Sequence, residues 1–183
     1  DDPIGVENPV SKYDQSISFT IPKQDNVYRD LNNSYMVLKV KVTKANGSAL
    51  TAGTDAVAPA NLLFSSLFKS VEVKLNGVLV SHANTLHAYR AYIETLLTYS
   101  TSVLDTRGVC EGWAKDDAAK MNTVTVAGSA GNSGHLSRRW ICGADTALTL
   151  IGRHHADIFH QGLDIPDNVI ISLGSYKTIS SSK

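Results

Sequence analysis

NTLHAYRAYIETLLTYS, residues 84–100, is the one stretch in which apolar side chains recur at helical spacing, in a chain that otherwise reads as strands and turns. Leu86, Tyr89, Ile93, Leu96 and Leu97 fall on one side of a 3.6-residue period, while Arg90 and Glu94 share another side at i, i+4. Asn84 or Thr85 can cap the start, since a short polar side chain accepts from the free N–H groups of a first turn. The spacing predicts a helix of about four turns. Its Leu86, Tyr89, Ile93 and Leu97 are expected to lie on a sheet, with Arg90 and Glu94 as an exposed helical pair.

The segment just before this helix carries the clearest strand signal. Val71-Glu72-Val73-Lys74-Leu75 and Val78-Leu79-Val80 alternate around Asn76-Gly77. Asn and Gly tolerate the positive φ of a type I′ turn, so the pattern predicts a β-hairpin. Residues 16–21 (SISFTI) and 35–42 (YMVLKVKV) alternate in the same way, and 148–151 and 168–173 supply apolar runs near the end. Thr123–Val126 reads as a short strand, residues 44–60 as a long loop with a turn at Asn46-Gly47, and Leu62–Phe68 as a helical turn. Many short strands, long loops and a single inserted helix predict an all-β fold, an antiparallel jelly-roll sandwich. Residues 1–15 read as an extended N-terminal arm, 16–174 as the jelly-roll domain, and 175–183 as a polar tail that frays.

The chain has 183 residues, 43% of them hydrophobic and 19% charged, with zero formal net charge. Such a chain has no long-range field to draw it onto nucleic acid or an anionic membrane. No apolar run approaches the roughly 18 to 20 residues that a bilayer span needs. No membrane partner and no specific nucleic-acid partner are therefore expected. The chain does not begin with Met, and a processed product, an expression product or a fragment is the expectation. Cys110 and Cys142 lack C-x-x-C spacing and read as small hydrophobes rather than a bridge, though a bridge stays open.

Candidate chemistry is sparse. His154, His155, Asp157 and His160 form the one cluster of metal-ligand types. If the preceding strand continued, alternation would put His155 and Asp157 on one face and His154 and His160 on the other, splitting the ligands. His155 and Asp157 are thus weak metal candidates, and the expected metal and cofactor content is none. His82 and His87 flank the hairpin-to-helix junction without a third ligand. Arg138-Arg139-Trp140 could grip an acidic partner through cation and ring, but three residues in a neutral chain carry little. There is no G-x-S-x-G elbow, no phosphate-binding G-x-x-x-x-G-K-[ST] and no G-x-G-x-x-G. No catalytic residue is assigned, and the expectation is a non-enzyme.

Five blocks in order carry a resemblance: DLNNSYMVLKVKVTKANGSAL (30–50), NLLFSSLFKSVEVKLNGVLVS (61–81), residues 84–100, EGWAKDDA (111–118) and LIGRHHADIFHQ (150–161). Together they resemble the major capsid proteins of Maverick/Polinton elements and adintoviruses, the hairpin and AYRAYIETLL most specifically. The resemblance runs from about Ile17 to Leu173. It implies the double-jelly-roll capsid lineage, a virion location, and pseudo-hexagonal trimeric capsomers built from this chain and other capsid subunits, with Arg90 and Glu94 facing those neighbours. That family carries two jelly rolls in tandem, and this chain resembles the first. Two other readings of the residues remain: a jelly-roll metal-dependent enzyme using the His154–His160 segment, and a trimeric recognition or signalling jelly roll.

Overall fold

The computed structural model describes residues 16–22, 27–44, 46–51, 54–55, 57–81, 85–121, 123, 131–143, 147–166 and 171–177. They form two compact units. The first combines described residues within 1–35, 65–94 and 153–183, and the second those within 36–64 and 95–152.

The first unit is built on a four-stranded antiparallel sheet of β1 (Ser16–Ile21), β4 (Phe68–Leu75), β5 (Val78–Leu79) and β8 (Ile171–Lys177). Their order is β1-β8-β4-β5, with β8 in the middle. Strand β8 pairs Leu173 with Phe19 on one side and with Val73 on the other. It continues through Lys177, three residues beyond the expected domain end, because Ser175, Tyr176 and Lys177 all find backbone partners. In β4 the register slips between Phe68 and Ser70. The extra residue of this bulge lets Phe68, Val71 and Val73 all point inward although 68 and 71 differ by an odd number. At the other end Asn76 (φ 49°) and Gly77 (φ 83°) make the two-residue turn, with Leu75 opposite Val78. A small second ladder pairs β2 (Tyr28–Arg29) with β7 (Ile165–Pro166).

In the second unit β3 (Met36–Val40) pairs with β6 (Leu148–Gly152), placing Leu38 opposite the buried Leu150. The rest is mainly helix and loop. A single turn, α1 (Leu63–Ser66), begins at the unit's edge, followed later by α3 (Thr101–Thr106), a 3-10 turn at Gly108–Glu111, another at Ala118–Lys120, and α4 (Ser133–Cys142). Between the hairpin and α3 runs α2 (His87–Thr98).

These helices overturn the all-β jelly-roll expectation. Among the described residues four α-helices and three 3-10 turns stand beside short antiparallel ladders, so the fold is mixed α/β. The physical cause lies in capping and local hydrogen bonding that the composition hides. Residues 127–137 read as a loose loop, yet Asn132 accepts from the Gly134 N–H and nucleates α4 from Ser133. Gly134 belongs there for a steric reason. A Cβ at that position would come within 2.5 Å of Asp116 Oδ1 and of the Lys115 carbonyl oxygen. The arm at 1–15, residues 178–183 of the tail, His82, Asn84 and Val124–Val126 lie outside the described residues. Among the described residues, no helix is long and apolar enough to cross a membrane.

Candidate functional site

The first unit collects imidazole, carboxylate and guanidinium groups around α2 and residues 153–160. Strand β6 ends at Gly152, Ala156 is still extended, and Asp157–His160 then close a 3-10 turn. That turn breaks the alternation assumed for an extended strand. It brings His155 and His160 to a ring-centroid separation of 5.6 Å, where continued β structure would have put them on opposite faces.

His155 is 4% exposed, and its Nδ1 lies 2.8 Å from Glu94 Oε2. Burial lowers the His155 pKa, and the Glu94 hydrogen bond opposes this without cancelling it. The imidazole is therefore neutral near pH 7. Since an ionised carboxylate can only accept, His155 donates from Nδ1–H. His160 Nε2 stands 3.8 Å from the same Glu94 oxygen. Arg90 Nε donates to Glu94 Oε1 at 2.6 Å, and its Nη2 donates to Asp157 Oδ1. Burial raises the Glu94 carboxyl, but hydrogen bonds from Arg90 and His155 outweigh it and leave the group below its ordinary value. Arg90 is held still more firmly protonated by Asp157 and Glu94.

Two further histidines line the interior. His154 packs its ring against Phe68 and Phe159, with centroids at 5.9 and 5.7 Å, and burial pushes its pKa down to about 3. His87, 5% exposed, is pushed down to about 4, first by burial and then by repulsion from His155, once acid protonates it, and from Arg90. A pocket of about 140 Å³ lies among Val71, Ser81, His87, Arg90, His155 and Asp157. His87 Nε2 is buried without a hydrogen-bond partner.

The structure thus redistributes the residues singled out in the sequence. Arg90 and Glu94, expected to face neighbours, are engaged within the chain by Asp157 and His155. Those bonds fix the rotation of α2. His87, Ala91 and Thr95, at i, i+4 and i+8, turn inward, and Leu86, Tyr89, Ile93 and Leu97, expected to pack on a sheet, face solvent. Asp157 serves Arg90, with 75% of its side chain exposed, while His155 keeps company with Glu94 and His160. The sequence grouped His160 with His155 but placed the two on opposite faces, and it did not link Glu94 to either. Glu94 is 61 residues from His155 in the chain, and no local spacing reveals such a pair.

In the second unit Arg138 and Arg139 are buried, and Trp140 is 65% exposed. Arg138 donates through Nη2 to Asp116, through Nη1 to the Ala114 carbonyl and through Nε to the Pro59 carbonyl, so it is not offered to an outside anion. Cys110 is exposed and Cys142 buried, each as a free thiol.

The arrangement defines a mixed α/β protein with a partly open His/Glu/Arg cluster. By comparison with known proteins, the chain is similar to a Caenorhabditis elegans protein described only as uncharacterized. The two are 25% identical over 134 residues, which is 70% of this chain and 29% of that relative. The chain therefore spans less than a third of the relative's length. No protein-family model matches, and no solved structure does.

Proposed function

We propose that the chain is a non-enzymatic structural subunit that self-associates into a shell, the role implied by its resemblance to Maverick/Polinton and adintovirus capsid proteins. One observation carries the reading. On α2, Leu86, Tyr89, Ile93, Leu96 and Leu97 are 56%, 70%, 55%, 49% and 83% exposed. On the preceding hairpin Val78, Leu79 and Val80 are exposed as well. These are the two blocks on which the resemblance is most specific. Burying one Leu or Ile side chain fully contributes about 1.5–3 kcal/mol, so a stripe of this kind left in water is a standing driving force for association. The occupant proposed is a further copy of the chain, in a trimeric capsomer that also meets other capsid subunits in the virion. Closed symmetry turns one weak apolar contact into three that reinforce one another.

Sedimentation velocity from micromolar to millimolar concentration tests the proposal. A concentration-dependent trimer that dissociates in Leu97→Arg and in Tyr89→Ser is expected. A monomer throughout the range, or a trimer indifferent to both substitutions, overturns it.

A further inference from the structure

Glu94, His155 and His160 each offer one metal-type donor atom, and the three atoms lie within 4.8 Å of one another. We propose that these side chains form a binding site for a zinc-class divalent cation, reached from solvent beside His160.

The donor set selects the cation. Two imidazole nitrogens and one carboxylate oxygen suit zinc and its first-row neighbours, whereas magnesium and calcium call for oxygen donors throughout. The spacing is close to what a tetrahedral ion needs. Bonds of about 2.0–2.1 Å place donor atoms about 3.4 Å apart. Glu94 Oε2 stands 2.8 Å from His155 Nδ1 and 3.8 Å from His160 Nε2, values on either side of that figure. Closing the set mainly requires the His160 ring to swing, and its side chain is 36% exposed, so little packing resists it.

The surroundings support a cation. Arg90 binds Glu94 at Oε1 and so holds the carboxylate in place, as hydrogen-bonding neighbours of metal ligands commonly do, with Oε2 turned toward His155 and His160. The charges of Glu94 and Asp157 against that of Arg90 leave one net negative charge from these three side chains. His155 has only to move its proton from Nδ1 to Nε2 for Nδ1 to bind the ion. His154 is excluded, because its ring is enclosed by Phe68 and Phe159. Three protein donors leave the fourth position of a tetrahedral ion to water.

The test uses the full chain, stripped with a chelator and dialysed against zinc chloride. One zinc per chain by atomic absorption, a rise in thermal midpoint on adding zinc, and the visible bands of tetrahedral cobalt on substitution with Co²⁺ are expected. His160→Ala retains the fold by circular dichroism, since the side chain is exposed, and should lose at least about tenfold in zinc affinity. Glu94→Gln should behave likewise, and Asp157→Asn should change affinity far less. Substoichiometric zinc in the unaltered chain, or equal affinity in His160→Ala, overturns the site. Zinc stoichiometry in Leu97→Arg separates this outcome from self-association, since that variant keeps all three ligands.

Discussion

Arg138–Asp116 and Arg90–Glu94 are the same chemical pair in two settings. Arg138 Nη2 reaches Asp116 Oδ1 at 2.9 Å, with the two side chains 7% and 12% exposed. Around them Asn132 donates to Asp116, Asn61 bridges Asp116 and Ala114, and the Asp117 N–H returns to Asn132. Side-chain polar atoms there serve loops that would otherwise bury bare peptide groups. The Arg90–Glu94 pair is 37% and 32% exposed, and one carboxylate oxygen meets two imidazoles. The first arrangement is closed and holds backbone together. The second keeps donor capacity in reach of solvent, which is what a binding site requires.

The largest expected effect is in the closed network. Arg138→Ala leaves Asp116 a buried carboxylate without its cation and takes a donor from the Pro59 carbonyl, while the Ala114 carbonyl keeps its bond from Asn61. Removing one partner of a buried pair costs about 3–5 kcal/mol, and urea denaturation should show a loss of that order. A loss below about 1 kcal/mol, the range of surface pairs, would erase the distinction between the two regions.

Acid comes next and acts on the open region. The His87 pKa of about 4 lies below its unfolded value near 6.5, so the unfolded chain binds the proton first. Stability is full above pH 6.5 and falls as the pH drops from there toward 4. The slope approaches about 1.4 kcal/mol per pH unit and the total about 3 kcal/mol. His155 and Arg90 oppose protonation of His87, and Glu94 favours it less strongly. Thermal midpoints between pH 7 and 4 should show the fall, and His87→Leu should make it shallower without abolishing it, since burial lowers His154 and His155 as well and acid acts on them in the same direction. An unchanged slope in that variant would shift the acid sensitivity to other groups.

Arg90→Ala is a smaller perturbation, although it removes the same kind of guanidinium as Arg138→Ala. Both carboxylates it leaves have water within reach, Asp157 especially. The cost should stay below about 1 kcal/mol by urea denaturation. A loss equal to that of Arg138→Ala would show that exposure does not separate the two pairs.

The sequence made some of this visible and hid the rest for identifiable reasons. The hairpin was legible because Asn76-Gly77 is a local signal, needing no distant partner. The extent of α2 was legible from its period, yet its rotation was not. A period locates a stripe without saying what lies opposite, and the bonds of Arg90 and Glu94 to residues more than sixty positions away settled the direction. Helix α4 was obscured by Ser133, Gly134 and Ser137, which weaken helical propensity, although Asn132 was a readable cap. In the candidate site, His155 stood out by composition. His160 joined it only through a 3-10 turn, which sequence alternation treats as more strand.

The smallest expected change in fold stability comes from Leu97→Ser. Leu97 is 83% exposed and lies on the outer side of α2, so replacing it removes almost no buried surface. Substitutions of this kind typically fall within about 0.5 kcal/mol, with serine's lower helix propensity adding a few tenths. The same variant should weaken self-association strongly, because the lost apolar area counts only when a second copy covers it. Paired denaturation and sedimentation measurements read the two effects separately. A large loss of stability together with unchanged association would mean that Leu97 is covered within the chain, and the apolar stripe would then be an interior surface rather than a contact between copies.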